Sequence, residues 1–189
     1  MPGFTALLDA CVLHPAPVRD LLIETANVGI FRARWSDDIH EEWIRSVLAN
    51  NRKATPDRLA RTRALMDAAV PDCLVTNYRG LIPELHLPDP EDRHVLAAAI
   101  VGRADVIVTG NLRHFPPEVL GPFGLEAQHP DAFLMYQRDL APEVFLQCAR
   151  RIRRRLANPP RTAEEYLASL RRCELALVAD TLETSKTLL

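Results

Sequence analysis

Carboxylate side chains stand at several points of this chain where they could act together on a substrate. Asp9 directly follows the apolar run of residues 4–8. Glu41 and Glu42 are neighbours further along, and Asp92 precedes another apolar stretch. Carboxylates that meet without Cys or His form a site of hard oxygen ligands, which suits Mg²⁺ or Mn²⁺ better than Zn²⁺. One or two such ions can position and deprotonate a water molecule and stabilise the leaving oxygen of a phosphodiester.

The predicted ends of two further strands also carry polar residues. The most regular strand pattern ends in Thr109, and Asn111 follows two residues later. Ser36 follows another strand pattern, at residues 30–35. Ligands of open parallel sheets bind beyond the carboxyl ends of the strands. We therefore expect these residues and Asp9 to lie at one edge of a sheet.

Each candidate residue also has an ordinary structural interpretation. Asp9 could be a turn residue after a strand, and Asn111 a turn residue after glycine. Asp89 precedes a proline, which is typical of a helix N-cap with proline at the first helical position. Glutamates are usual on exposed helix faces, and periodicity does not distinguish Glu41 from Glu42. Only the joint placement of these residues favours a functional site.

The elements that position these residues alternate between strand and helix. Short apolar or alternating runs, which predict strands, occur at residues 4–8, 30–35, 73–76, 106–109 and 125–128. Helix patterns occur at residues 15–27, 36–48, 56–69, 89–100 and 130–135. This alternation predicts βαβ units and a parallel sheet in an α/β fold.

The C-terminal part of the chain is predicted to be helical. From Ala141 onward no strand pattern remains. Two or three helices fit at about residues 142–157 and 162–185, and prolines at positions 159 and 160 separate them. We expect an α/β domain at residues 1–138 and an α-helical extension at residues 139–189.

Composition favours a cytoplasmic protein without a membrane span. No apolar run reaches the ~18 residues of a transmembrane helix, and the N-terminus lacks the basic region of a signal peptide. The cysteines are far apart and form no C-x-x-C pair, which argues against a zinc knuckle. In a reducing compartment we expect them to be small, buried apolar side chains; they are Cys11, Cys73, Cys148 and Cys173.

Basic residues are concentrated near the C-terminus. Residues 141–189 contain nine Lys or Arg and six Asp or Glu, whereas the rest of the chain contains 14 and 19. Five arginines fall within six positions: Arg150, Arg151, Arg153, Arg154 and Arg155. Such a cluster suits RNA binding, because nucleic-acid affinity is largely electrostatic and Arg binds phosphate in a bidentate manner. The alternative is a solvated helix whose arginines pair with acidic residues of the body.

Other catalytic motifs are incomplete in this sequence. Residues 40–42 match the H-x-E of zinc deaminases, but no P-C-x-x-C follows. Haloacid-dehalogenase phosphatases also place an Asp after the first strand, but they need a second Asp where this chain has Cys11. No H-E-x-x-H, P-loop or G-x-G-x-x-G occurs.

The candidate residues lie in four stretches that together resemble the PIN-domain family, specifically the toxin ribonucleases of bacterial toxin–antitoxin pairs. The stretches are residues 7–13 (LLDACVL), 35–43 (WSDDIHEEW), 87–99 (LPDPEDRHVLAAA) and 104–112 (ADVIVTGNL). No single stretch is diagnostic, but their order and spacing within about the first 135 residues are specific.

The resemblance implies a role for each candidate acid. Asp9 is similar to the family's first-strand acid, Glu42 to its helix glutamate and Asp92 to its third acid. Asn111 stands where many members have a fourth acid, so three carboxylates remain to hold an ion. Cys11 stands where the family usually has Asn or Ser, which suggests a weakened or substrate-restricted nuclease.

The resemblance also implies a fold, a cofactor and partners. It predicts a three-layer α/β/α domain that uses Mg²⁺ or Mn²⁺ to cleave structured RNA such as tRNA or rRNA. It predicts a homodimer that is inhibited by a cognate antitoxin. Asp9, Asp92 and Glu42 would hold the metal, and Glu42 would also orient or deprotonate the attacking water. Asn111 and Thr109 would hydrogen-bond water or phosphate there, with Ser36 and Asp89 in supporting positions.

A second hypothesis is a catalytically weak or inactive PIN scaffold that binds RNA or a protein partner. It is based on Asn111, which replaces an acid of the family. Divalent-metal-dependent RNA cleavage that is lost on Asp9→Asn would separate the two hypotheses.

Overall fold

The sheet that carries the candidate residues has four parallel strands. The structure is a computed structural model, and it describes residues 4–189. The strands are Thr5–Leu8 (β1), Arg32–Arg34 (β2), Val106–Val108 (β3) and Glu126–Gln128 (β4), in the order β2-β1-β3-β4. β1 and β3 lie in the middle and every residue of both is buried, which explains why all their residues except Thr5 are apolar. The carboxyl ends of these two strands therefore meet at one edge.

Helices connect the strands and continue after the last one. The α-helices of the described residues are Ala10–Leu13 (α1), Ala16–Asn27 (α2), Asp37–Asn50 (α3), Pro56–Ala69 (α4), Arg93–Val101 (α5), Pro117–Leu120 (α6), Pro130–Leu140 (α7), Pro142–Arg155 (α8), Ala163–Arg172 (α9) and Ala176–Glu183 (α10). This arrangement confirms the predicted three-layer α/β/α fold with a parallel sheet and a helical extension.

Local capping signals fix several of these boundaries. The Ser36 hydroxyl accepts a hydrogen bond from the backbone N–H of Ile39, so α3 begins where the sequence predicts. Thr55 does the same for Arg58 at the start of α4. α2 ends before Gly29, whose φ of +79° is a left-handed conformation that glycine adopts without strain.

The strand predicted at residues 73–76 is wrong. This segment forms only an isolated bridge to Trp35, with hydrogen bonds from Trp35 N to Cys73 O (3.0 Å) and from Val75 N to Trp35 O (2.8 Å). Asp72 and Asn77 flank the bridge in left-handed conformations. These turns interrupt the extended backbone on both sides, so pairing does not extend beyond the bridge.

The structure corrects one predicted helix start and refines two other helix predictions. The helix predicted at residues 89–100 begins at Arg93, because Pro90–Asp92 forms a turn of 3-10 helix. The two or three helices predicted after Ala141 are three in the structure, because the segment at residues 162–185 divides into α9 and α10 at Glu174, which has a φ of +60°. α7 is also longer than the predicted segment, since it continues to Leu140.

The cysteine prediction holds for two of the four residues. Cys73 and Cys148 are buried, whereas Cys11 and Cys173 are partly exposed. The partial exposure of Cys11 follows from its position beside the polar edge of the sheet. None of the helices within residues 4–189 is long and apolar enough to cross a membrane.

Candidate active site

Asp9 occupies the centre of the polar sheet edge. Its backbone N–H donates to Val108 O of the neighbouring strand (3.1 Å), which aligns the ends of β1 and β3. Its side chain is buried, and its Oδ2 accepts hydrogen bonds from Thr109 Oγ1 (2.7 Å) and from Cys11 Sγ (3.1 Å). Burial raises the pKa of Asp9 above its usual value, and the nearby charge of Glu42 raises it further. A charged carboxylate here is costly unless a cation balances it.

A small hydrogen-bonded shell fixes the Asp9 side chain. Thr109 Oγ1 accepts from the backbone N–H of Asn111 (3.0 Å), which directs the threonine proton toward Asp9. The backbone N–H of Gly110 donates to Cys11 Sγ (3.3 Å). Burial raises the pKa of Cys11 to about 12, so this residue is a neutral thiol at physiological pH. Cys11 therefore acts as a hydrogen-bond donor in the structure.

The structure distinguishes the two adjacent glutamates of α3. Glu41 is exposed, whereas Glu42 is partly buried and its Oε2 lies 3.3 Å from His94 Nε2. Burial lowers the pKa of His94, but the carboxylates of Glu42, Asp38 and Asp9 outweigh this effect, so the pKa is raised overall. The charge of Glu42 acts on Asp9, and the charge of Asp9 acts on His94. These three groups therefore belong to one site.

Asp92 joins the same site from the start of α5. Burial raises its pKa, and the charge of Asp9 adds to this effect. His114 Nδ1 lies 2.6 Å from Asp92 Oδ2 and 3.7 Å from Asp89 Oδ2. Ligand atoms of Asp89, Asp92 and His114 lie within 4.8 Å of one another, a spacing that a metal ion could bridge. Asp89 also caps the turn before α5, because its side chain accepts from Glu91 N (3.0 Å).

The other predicted residues lie near the site with different contacts. Asn111 is exposed, and its backbone rather than its side chain contacts Thr109. Ser36 is completely buried as the N-cap of α3, so its contribution is to orient the helix that carries Glu42.

Two histidines of the site were not among the predicted residues. His94 contacts Glu42, and His114 contacts Asp92. Both lie two or three residues beyond a predicted site residue, His94 after Asp92 and His114 after Asn111. This closeness in sequence to predicted site residues is the signal that could have identified them. The contacts themselves could not be predicted, because the partners come from other elements.

A buried network anchors the helix that carries Glu42. Trp43 Nε1 donates to His40 Nδ1 (2.9 Å), so the ring proton of His40 lies on Nε2, which donates to Asp67 Oδ1 of α4 (2.9 Å). Trp35 Nε1 donates to the same Asp67 oxygen (2.8 Å). Burial lowers the pKa of His40, although Asp67 opposes this effect. The network needs neutral His40, because a second ring proton would remove the acceptor of Trp43.

We expect His40 to make the fold less stable in mild acid. The unfolded chain binds a proton at His40 near pH 6.5, and the folded chain binds it only at lower pH, so stability from this residue is present above about pH 6.5. It is lost as the pH falls from there through the folded pKa. Urea unfolding between about pH 5 and 7.5 should therefore show a smaller pH dependence for His40→Gln than for the wild type.

His86→Gln is the matched control for this experiment, since His86 is exposed. Its unfolding free energy should follow the wild-type pH dependence. Identical pH dependence of wild type and His40→Gln would contradict the assigned role of His40.

The arginines of the α8 cluster have three different environments. Arg151 Nε lies 2.7 Å from Glu24 Oε1, and Arg155 Nη1 lies 2.8 Å from Glu24 Oε2. Arg153 Nη1 donates to the backbone carbonyl of Arg161 (3.2 Å). The remaining members, Arg150 and Arg154, are exposed. Two of the five arginines thus neutralise a buried carboxylate, as the alternative interpretation anticipates, and RNA binding by the cluster stays a prediction.

The comparisons with known proteins agree with this architecture. The family model described as "PIN domain" matches residues 5–113, which is more than half of the chain. The model described as "VapC50 C-terminal domain" matches residues 130–184, which correspond to α7–α10. No solved structure matches the chain.

A curated relative also matches the chain. It is the protein of Mycobacterium tuberculosis (strain ATCC 25618 / H37Rv) that is named "Putative ribonuclease VapC50". It is 37% identical over 123 residues, which cover 63% of this chain and 72% of the relative. The chain therefore belongs to the PIN-domain family as a VapC-like member.

Proposed function

We propose that this protein is a divalent-metal-dependent endoribonuclease and the toxin of a toxin–antitoxin pair. The observation that carries the proposal is the buried carboxylate of Asp9, which has a raised pKa and is electrostatically coupled to Glu42 and Asp92. Three carboxylates at one sheet edge are unfavourable without a cation. The relative's name, which contains the word ribonuclease, supports the same activity.

The donor set fits a divalent metal. Asp9, Asp92 and Glu42 would hold the ion through oxygen atoms, which is the ligand type of Mg²⁺ and Mn²⁺. His114 lies close enough to Asp92 to supply a nitrogen ligand, and nitrogen donors favour Mn²⁺ over Mg²⁺. When bound, the ion would lower the pKa of a water molecule and stabilise the leaving oxygen.

The surrounding residues would orient the reaction. Thr109 and Cys11 hold Asp9 in one rotamer through its Oδ2. Glu42 would accept a proton from the attacking water, and His94 beside it would hold this carboxylate in place. Asn111 is exposed and would donate a hydrogen bond to a phosphate oxygen. Asp89 would orient His114.

The remaining expectations complete the proposal. The substrate would be a structured RNA such as tRNA or rRNA, and a cognate antitoxin would inhibit the enzyme. The protein would act in the cytoplasm as a homodimer. Arg150 and Arg154 are the members of the arginine cluster best placed to contact RNA, since both are exposed.

Parallel induction of the wild type and Asp9→Asn in a bacterial host tests the proposal. The wild type should arrest growth, and mapping of RNA ends should show new cleavage sites that are absent after induction of Asp9→Asn. Asp139→Asn is a suitable control, because Asp139 is an exposed residue paired with Arg138. Growth arrest by the wild type and Asp9→Asn alike, without new RNA ends, would instead favour an inactive scaffold that binds its target.

A further inference from the structure

A cleft connects the proposed active site to the C-terminal helices. Its volume is about 320 Å³, and part of its lining comes from Cys11 and Asn111, beside Asp9. Another part comes from Arg172 and Glu174, at the turn between α9 and α10. The region that matches the VapC50 C-terminal domain therefore forms one side of a cleft that begins at the proposed nuclease site.

The turn between α9 and α10 is held firmly in this position. The carboxylate of Asp131 in α7 accepts hydrogen bonds from Leu177 N (2.9 Å) and Val178 N (3.0 Å) at the start of α10. Leu175 is completely buried directly after the left-handed residue Glu174. The backbone of the turn is thus fixed, so Arg172 and Glu174 line the cleft in the folded protein.

Two adjacent arginines at the end of α9 have different environments. Arg171 pairs with Asp180 (2.8 Å) and Glu183 (2.6 Å), so it stabilises the contact between α9 and α10. Arg172 is exposed, and within residues 4–189 its side chain forms no ion pair or hydrogen bond. Its guanidinium is free to bind an anion, for which Arg offers two parallel donors.

A second donor lies in the same cleft. His129 lines it, and its Nδ1 accepts a hydrogen bond from the backbone N–H of Asp131 (3.3 Å). The ring proton of neutral His129 therefore lies on Nε2, which is 3.7 Å from Glu174. The Glu174 side chain is 82% exposed, so solvent screens its charge and leaves the His129 proton available to another acceptor.

We propose that Arg172, with His129, binds an RNA phosphate next to the one that is cleaved. This inference rests on the proposed ribonuclease function. An RNA strand is longer than the site around Asp9, and the cleft leads from that site directly to Arg172. The C-terminal helices would thereby form a substrate-binding subsite, separate from the arginine cluster of α8.

Binding of a fluorescein-labelled, single-stranded oligoribonucleotide tests the subsite. The measurement uses the full chain with Asp9→Asn, so that no cleavage occurs. Arg172→Gln should raise the Kd about tenfold, since one charge-assisted phosphate contact is lost. The slope of log Kd against log salt should fall by about 0.7–1, and Arg172→Lys should recover part of the affinity.

Arg61→Gln is the matched control, because Arg61 is an exposed arginine of α4 outside the cleft. Its Kd and salt dependence should stay within twofold of the parent. An unchanged Kd for Arg172→Gln, or an equal effect of Arg61→Gln, would overturn the subsite. The subsite would also be overturned if Arg172→Gln left RNA binding intact but weakened inhibition by the cognate antitoxin. The cleft would then be a contact with that protein. Absence of metal-dependent cleavage by the wild type would overturn only the proposed function, since binding is measured independently.

Discussion

Asp9→Asn is expected to abolish RNA cleavage and, at the same time, to stabilise the metal-free protein. Loss of a metal-ligating carboxylate should reduce cleavage about 10²–10⁴-fold, because metal stabilisation of the transition state contributes several kcal/mol. The buried charge of Asp9 opposes folding, as its raised pKa shows. The folded state binds the Asp9 proton more tightly than the unfolded state, so this cost is present at neutral pH and disappears as the pH falls through the folded pKa. Asn removes the charge and retains an acceptor for Thr109, and the Tm should rise by about 2–4 °C.

Thermal unfolding in the presence of EDTA, together with cleavage of total RNA in Mn²⁺, provides both measurements. Asp139→Asn is the control, since it removes an exposed aspartate that is paired with Arg138. It should leave both quantities unchanged. A lower Tm for Asp9→Asn would show that Asp9 is a structural residue, and unchanged cleavage would remove it from the active site.

The double variant Arg151→Ala/Arg155→Ala is expected to show the largest loss of stability. Both arginines pair with Glu24, whose side chain is 6% exposed, and their removal leaves a buried carboxylate without a counter-charge. Breaking a buried ion pair in this way costs about 3–5 kcal/mol. The loss of unfolding free energy should lie near the lower end of this range, because the arginine side chains themselves are partly exposed. Urea unfolding measures the effect.

Two further variants make this prediction specific. Arg150→Ala/Arg154→Ala removes the same number of charges from the same helix, and it should change the free energy of unfolding by less than about 0.5 kcal/mol. Addition of Glu24→Gln to the first double variant should recover much of the lost stability, because the unpaired buried charge is gone. Equal stability of the two double variants would contradict the pairing. The exposed pair is also the correct one for testing RNA affinity, since its removal leaves the fold intact.

Local patterns predicted the parts of the fold that depend on local interactions. β1 and β3 are short, almost entirely apolar runs that are buried on both faces, so their sequences alone indicate central strands. Ser36 and Asp89 are followed by the features of a helix start, and both cap the following turn. Asp9 and Thr109 end neighbouring parallel strands, which explains why their contact could be predicted from order along the chain.

Features that depend on partners distant in sequence could not be predicted. Glu42 differs from Glu41 in its partial burial and in its contact with His94 of α5, and neither follows from the sequence around it. Glu24 appears in the sequence as one of two acidic residues on α2, and its burial becomes clear only when α8 packs against it. Residues 73–76 have the composition of a strand, but the left-handed turns around them limit pairing to one bridge. His114 reaches Asp92 only because the chain after β3 turns back toward α5.

The most direct test of the central claim is metal-dependent cleavage of RNA by the purified, antitoxin-free protein. Wild type, Asp92→Asn and Asp139→Asn would be treated with EDTA and then supplied with Mg²⁺ or Mn²⁺ at matched concentrations. The site around Asp9, Glu42 and Asp92 predicts that cleavage by the wild type and Asp139→Asn disappears in EDTA and returns with the metal, whereas Asp92→Asn stays inactive. Cleavage that persists in EDTA, or that Asp92→Asn retains in full, would contradict a metal-dependent nuclease at this site.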